Sequence, residues 1–298
     1  MKPVIQTKEL RKKFGKNEAL TGLTASVMEN SITGLIGRNG SGKTTLLKIL
    51  AGQMDITGGT AHVFGEVPMD NLNVLGKMVY SYHDYEYEAF CRLEQILFAY
   101  KTMFDNFDAI FAEKLLRYFE LKNKMKYTSL SEGMKSIFNF ICAISCRTEL
   151  TLLDEPVLGM DVTVRKAVYE ILLRDYGEHP RTFIVSSHLL SEIEGMLSDI
   201  LLIENGEVLL ASSIDDARER AYRVDGSQTS VESFISGKKT IEFRKNQTSC
   251  HAVVYETLTE DARDAARMFG FVISGVRPED LCVYLTKKDK GDELECLW

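Results

Sequence analysis

Gly37-Arg38-Asn39-Gly40-Ser41-Gly42-Lys43-Thr44-Thr45 carries the plainest chemistry in this chain of 298 residues. A glycine, four residues and then Gly-Lys-Thr is the pattern of a loop that wraps a phosphate. The glycines let successive backbone N–H groups turn inward, and a helix leaving the loop adds the positive end of its dipole. Lys43 is expected to reach the β- and γ-phosphates, and the Thr44 hydroxyl to ligate Mg²⁺. The second half of such chemistry is acidic. Residues 150–156 form an apolar run that ends in Asp154 and Glu155. Asp154 is expected to hold the shell of the metal, and Glu155, pointing elsewhere as the next residue, to polarise the attacking water. Residues 182–188 repeat the plan and deliver His188 as a donor for the γ-phosphate. Together these residues imply binding and hydrolysis of a magnesium nucleoside triphosphate.

The elements that must position them can be read from periodicity. Residues 31–36 read as a buried strand running into the loop and residues 44–50 as a helix running out. Wholly apolar strands belong in the middle of a parallel sheet, and open α/β sheets bind ligands at the strands' C-terminal edge. Residues 4–10 alternate like a half-buried strand, Phe14-Gly15 marks a turn, and residues 20–28 suggest further strand. Such a hairpin could bring the Phe14 ring back over a base. Short strands are expected at 58–65 and 77–80, helices at 92–104 and 109–121, and a mostly buried helix capped by Ser131. A helix over 162–176, one over 189–197 and a hairpin over 200–210 complete this part. Past residue 212 come a charged helix (215–222), a linker candidate (226–230), strands at 239–243, 252–255 and 281–286, and a helix over 260–269 stopped by Gly270. The expected division is therefore 1–212 and 213–298.

Taken in order, Phe14, the loop at 37–45, Leu130-Ser131-Glu132-Gly133-Met134, residues 151–156, Gly159-Met160-Asp161 and Ser186-Ser187-His188 resemble the ATP-binding subunit of a bacterial ABC transporter. The resemblance spans roughly residues 4–212. It implies an α/β P-loop NTPase fold with a mostly parallel core sheet, an antiparallel β subdomain and a helical signature subdomain. The tail would then be a small α+β appendage. It also implies that two such chains close head to tail on two ATPs. Phe14 then matches the adenine-stacking aromatic, Asp154 a metal ligand, Glu155 the catalytic base, Asp161 the D-loop and His188 the switch histidine. Ser131 and Gly133 would face the partner's ATP. Separately encoded transmembrane subunits are the implied partners, docked against the aromatic segment 80–90 with its exposed Tyr and Phe rings. That would hold the chain at the inner face of the cell membrane. The single ATPase unit and αβ tail resemble exporters of peptides, drugs or other amphipathic molecules. A soluble non-transport ABC ATPase, or a regulatory ATP-binding module, is the alternative.

Three departures from the family pattern stand out. Glu132 replaces a glycine; two like charges about 4 Å apart at an effective dielectric near 20 repel by roughly 4 kcal/mol, so Glu132 must turn away or weaken that site. Ile137 stands where an arginine is usual. His83 replaces the glutamine that helps ligate Mg²⁺, and a neutral imidazole suits that hard cation poorly. Unequal composite sites and slow turnover by the isolated protein are the expectation.

Composition narrows the field. The chain is 45% apolar and 27% charged, with net charge −7 and no long basic block, which argues against a general nucleic-acid binder. Residues 137–145 are the longest apolar run, interrupted by Asn139 and too short to cross a bilayer. The first residues lack the apolar core of a secretion signal, so a cytoplasmic place is expected. Six scattered cysteines, two of them one helical turn apart at Cys142 and Cys146, read as small apolar side chains in a reducing compartment.

Overall fold

The computed structural model describes residues 2–82, 85, 87–245 and 249–287, and the chain divides into two compact units, Met1–Ala211 and Ser212–Trp298. The strands of the first unit are β1 (Pro3–Phe14), β2 (Asn17–Met28), β3 (Ile32–Ile36), β4 (Gly58–Val63), β5 (Met78–Tyr82), β6 (Leu150–Asp154), β7 (Thr182–Ser187), β8 (Asp199–Glu204) and β9 (Glu207–Ser213). Its helices are α1 (Lys43–Leu50), α2 (Leu72–Leu75), α3 (Leu93–Met103), α4 (Ala109–Tyr118), α5 (Glu132–Ser145), α6 (Val162–Glu178) and α7 (Leu190–Ile193).

The runs without polar alternation become central strands. Every residue of β3, β6 and β7 is buried, as a strand covered on both faces requires. These strands lie in a six-stranded sheet of order β5-β6-β7-β3-β8-β9, in which β5, β6, β7, β3 and β8 run parallel. Parallel neighbours force long crossovers, so the residues that end each strand collect along one edge. Helix α1 closes one face by burying Leu46, Leu47, Ile49 and Leu50 in one core with Leu35, Leu152, Ile184 and Leu201. At about 1.5–3 kcal/mol for each such side chain, burial holds this helix in place far more firmly than its eight-residue length could. A separate antiparallel sheet, order β2-β1-β4, adds Leu10, Leu20, Leu23 and Val63 to the same core.

The apolar run 137–145 lies in α5, buried from Ser136 to Ser145. Its one amide, Asn139, is satisfied by the Tyr82 carbonyl (3.2 Å) and the Tyr127 hydroxyl (3.0 Å). Where one helix was expected over 189–197, α7 is a single turn followed by a 3₁₀ turn, Glu194–Met196.

The second unit contains α8 (Ile214–Glu219), β10 (Tyr222–Gly226), α9 (Gln228–Ile235), β11 (Thr240–Lys245), β12 (Cys250–Val254), α10 (Glu260–Phe269), β13 (Val272–Gly275) and α11 (Pro278–Thr286). From β10 to β13 the order is βαββαβ, and the antiparallel sheet runs β11-β12-β10-β13, the ferredoxin-like arrangement. Val231, Phe234 and Ile235 of α9 and Ala265 and Ala266 of α10 pack on Tyr222, Val224, Cys250, Ala252, Val254 and Ile273. The intervening residues Arg223, Asp225, Glu242, Arg244 and His251 share the opposite face by their register.

Three expectations fail in this unit. Residues 281–286 are helix, not strand, because Pro278 starts a turn there and Glu279 and Asp280 favour its N-terminus. The linker candidate 226–230 is instead the end of β10 and the start of α9, with the Ser227 hydroxyl accepting from the Ser230 N–H at 3.3 Å. The same Gly-Ser-Thr composition serves linkers and caps alike. Likewise α8 stops at Glu219, and Tyr222, expected to close that helix, opens β10.

Candidate active site

At the end of β3 the chain turns through residues 37–42 into α1, whose N-cap is Gly42 at φ 109°. A Cβ there would sit 2.7 Å from the Ala19 carbonyl oxygen, so the loop can lie against β2 only as glycine. The Gly206 N–H donates to Ser41 O (3.0 Å), and the Thr21 N–H donates to Gly206 O (3.1 Å). The loop is thus pinned to β2 and to the β8–β9 turn. Gly37 and Ser41 are buried, Thr45 is half-buried, and Arg38, Asn39, Gly40 and Thr44 are exposed. Lys43 is only 6% exposed, and its ammonium donates to the carbonyls of Gly37 (2.7 Å) and Arg38 (3.3 Å). Burial pulls its pKa below the ordinary lysine value, opposed by the Glu155 and Asp154 carboxylates.

Asp154 ends β6, and its neighbours come from the strands on either side. Ser186 of β7 donates its hydroxyl to Oδ1 (2.6 Å), and Tyr80 of β5 donates to Oδ2 (3.2 Å). Burial and the Asp154 charge hold the Tyr80 hydroxyl well above the usual tyrosine range. Glu155 follows at φ 47°, a left-handed conformation that costs a non-glycine residue about 1–2 kcal/mol. Its N–H donates to Ser186 Oγ (2.8 Å), which secures the turn. That geometry aims the two carboxylates apart. Glu155 Oε2 lies 3.0 Å from His188 Nδ1, and Oε1 lies 3.7 Å from Lys43 Nζ. Lys43, Asp154, Glu155 and His188 therefore meet at one sheet edge. In the sequence Ser186 belongs to a motif and Tyr80 to the aromatic segment, but neither is marked for a role at Asp154, since their contacts with it follow from strand pairing.

The residues fit a magnesium nucleotide. Ser41 Oγ and Glu155 Oε1 are buried without a hydrogen-bond partner, and Lys43 is a desolvated cation held against the loop by the Gly37 and Arg38 carbonyls. Such groups suit an anion accompanied by a hard cation.

The remaining predicted residues lie elsewhere on the first unit. Phe14 ends β1 opposite Asn17, is 47% exposed, and has Lys12 Nζ 5.2 Å from its ring centroid. Ser131 caps α5 by accepting from the Met134 N–H (3.3 Å). Gly133 touches the loop after β6: a Cβ there would be 2.6 Å from Gly159 O. Ser136 Oγ donates to Leu158 O (2.9 Å), so that loop and α5 are bound together. Glu132 pairs with Lys135 on the same helix turn at 2.7 Å, so its charge is countered locally. Ile137, in place of an arginine, is buried in α5. Asp161 caps α6 by accepting from the Thr163 and Val164 N–H groups. His83 lies outside the described residues.

The aromatic segment differs from expectation. Tyr80, Tyr82, Tyr85, Tyr87 and Tyr127 form a continuous row with successive centroids 5.0, 5.1, 4.6 and 4.7 Å apart. The hydroxyls of Tyr87 and Tyr100 lie 3.3 Å apart, and burial raises the pKa of both. The tyrosines are packed rather than exposed, because stacked rings bury apolar area while their hydroxyls find partners. Phe90, 68% exposed, is the ring that faces outward. Beside the row runs an apolar groove of about 320 Å³, lined among others by Tyr80, Tyr85, Ala99, Met103 and Phe104. Among the described residues no helix is long and apolar enough to cross a membrane.

Comparison with known proteins agrees with this geometry. A family model described as ABC transporter matches residues 20–158. The chain is 30% identical over 224 residues to a bacitracin transport ATP-binding protein, BcrA, of Enterococcus faecalis, covering 74% of this chain and 72% of that one. It is 26% identical over 227 residues to the ABC transporter ATP-binding protein YtrB of Bacillus subtilis (strain 168), covering 74% and 76%. Among solved structures, an ATP-binding subunit of an ABC transporter superposes with a TM-score of 0.64 at 24% identity, covering 72% of this chain and 92% of that one. A dimeric ATP-binding cassette in a post-hydrolysis state, bound to ADP and Pi, gives a TM-score of 0.62 at 18% identity, covering 70% and 98%.

Proposed function

The chain belongs to the ATP-binding subunits of ABC transporters, which bind and hydrolyse ATP to power transport, and from that premise we propose how its residues divide the work. The loop at 37–45 cradles the phosphates through its backbone N–H groups, and Lys43 leaves the Gly37 and Arg38 carbonyls for the β- and γ-phosphates. Thr44 and Asp154 would hold Mg²⁺, which when bound neutralises charge that develops on the phosphates. Glu155 orients and polarises the attacking water. His188, held against Glu155, keeps that carboxylate aimed and donates toward the γ-phosphate. Phe14 stacks on the adenine.

Subunits of this family dimerise and pair with transmembrane subunits. In this reading a second ATPase subunit, identical or different, presents its own Ser131 and Gly133 equivalents to the γ-phosphate. Asp161 lies at the seam, and the atypical Glu132 makes the two sites unequal where the partner differs. The groove beside Tyr80–Phe104 receives the membrane partner, and the chain sits at the inner face of the membrane through it. The cargo class we propose is an exported peptide, drug or other amphipathic molecule, by likeness to the bacitracin transport protein. The soluble and regulatory alternatives gain nothing from relatives whose names are those of transporter components.

One observation carries the reading of the site: Lys43 and His188 approach the two oxygens of Glu155 at 3.7 and 3.0 Å. The test is binding of a fluorescent ATP analogue and release of phosphate by the purified chain. Binding that disappears on Lys43→Ala supports the assignment; undiminished binding defeats it. Transport is tested by co-purification with a six-span membrane protein, and recovery of the chain without one counts against it.

A further inference from the structure

Asp154 is gripped from both sides by donors on the flanking strands, and one of those donors also forms the wall of the groove. In the register of the sheet Tyr82 and Ser186 stand opposite Asp154 on β5 and β7. Tyr80, two residues earlier, has a ring long enough to reach forward to Asp154 Oδ2 at 3.2 Å. The same ring stacks on Tyr82 at 5.0 Å with 25° between planes, and it lines the groove with Tyr85, Ala99 and Met103. A tyrosine ring swings about χ1, which carries ring and hydroxyl together, whereas turning χ2 spins the ring about the axis through Cγ and the hydroxyl oxygen and leaves that oxygen in place. The hydroxyl oxygen therefore cannot leave Asp154 without a χ1 swing that reshapes the groove wall, and an occupant that swings the ring about χ1 draws the hydroxyl from Asp154. Oδ1 is meanwhile fixed independently by Ser186 at 2.6 Å, so Oδ2 is the oxygen whose orientation Tyr80 decides.

We propose that Tyr80 is a positioning residue for the metal-holding carboxylate and that, through its ring, the occupant of the groove alters how Asp154 is presented to Mg²⁺. The proposal rests on the reading of Asp154 given above. It assigns Tyr80 no contact with substrate.

The test uses the full chain and a fluorescent ATP analogue titrated with Mg²⁺, with a parallel titration in EDTA. Tyr80→Phe keeps the ring and removes the hydroxyl. It should raise the Mg²⁺ concentration at half-saturation about tenfold, the low end for losing an outer-shell partner of a metal ligand. Binding in EDTA should be unchanged, which separates loss of positioning from loss of fold. Ala99→Trp, on the exposed rim of the groove, imitates an occupant. It should shift the Mg²⁺ midpoint by roughly threefold or more in the unaltered chain and not in the Tyr80→Phe background. An unchanged midpoint in Tyr80→Phe overturns the positioning role, as does an equal loss with and without Mg²⁺. Equal Ala99→Trp shifts in both backgrounds overturn the link to the groove. If the unaltered chain binds no nucleotide at all, the reading of the site fails first and takes this inference with it.

Discussion

The C-terminal edge of the six-stranded sheet and the charged face of the four-stranded sheet are both dense with ions, yet they treat them in opposite ways. In the second unit the buried Glu242 carboxylate is met by Lys287 at 2.7 and 2.9 Å and by Arg244 at 2.7 Å. Arg223 and Asp225 likewise form a two-pronged pair. Burial pushes the Glu242 pKa up, but Lys287 and Arg244 prevail and hold it below the ordinary glutamate value. In the first unit Lys43 is desolvated and donates to backbone carbonyls, Glu155 occupies a left-handed backbone conformation, Ser41 Oγ has no hydrogen-bond partner, and Glu155 Oε1 has only the 3.7 Å ion pair with Lys43. Among the described residues, eight of the nine buried side-chain polar atoms without a hydrogen bond lie in the first unit, and the ninth, Ser212 Oγ, lies at the first residue of the second. A charge cluster that satisfies itself is structural; one that leaves groups waiting and strain in place marks where a ligand completes the set. Density of charge alone would not separate the two faces.

The contrast can be broken by four measurements, taken from the largest expected effect. Glu155→Gln should cut phosphate release by about 10²–10³-fold while ATP still binds, as loss of one positioned catalytic group does. Turnover near the original rate would remove Glu155 from its role. Ser186→Ala, which frees both Asp154 Oδ1 and the Glu155 N–H, should lower turnover by about tenfold and raise the Mg²⁺ requirement. If only thermal stability moves, Ser186 belongs with the self-satisfied groups.

Glu132→Gly should raise turnover by about threefold. The Lys135 pair already counters much of the Glu132 charge and, exposed as it is, is worth only about 0.2–1 kcal/mol. A fall in turnover would show that Glu132 contributes to the site rather than burdening it. The smallest effect on activity belongs to the second unit: Glu242→Gln should leave ATP turnover within about twofold. Its effect is on stability, and the sign follows from the lowered pKa. A carboxylate whose folded pKa is depressed stabilises the fold above its ordinary pKa and loses that contribution as pH falls through the folded value. Glu242→Gln should therefore lower the thermal midpoint by about 4 °C at pH 7 and by clearly less at pH 3. An equal drop at both pH values would mean that the Lys287 and Arg244 pairings add nothing.

Much of the first unit is legible residue by residue because its chemistry is local. The phosphate loop needs Gly42 at a backbone angle other residues avoid, Lys43 one step into a helix, and an apolar strand before it, all within one short stretch. Strands without polar alternation at 150–154 and 182–187 announce a parallel sheet, since strands covered on both faces lack it. The second unit is less legible. Residues 281–286 suit a strand by composition and become helix because Pro278, Glu279 and Asp280 start one, and the Gly-Ser-Thr stretch at 226–230 caps a helix instead of linking units. Short αβ elements carry too few residues for periodicity to outweigh context.

By itself the amino-acid order determined the ATP-binding fold and singled out Lys43, Asp154, Glu155 and His188 as the candidates for its site, because each is marked by its neighbours in the chain. Only the tertiary structure decided that Tyr80 and Ser186 share Asp154 and that the tyrosines of segment 80–90 are packed in a row. Those facts depend on which strands lie side by side and which faces meet. The contact between Tyr80 and Asp154, 74 positions apart, arises from the sheet's register, which no local pattern encodes.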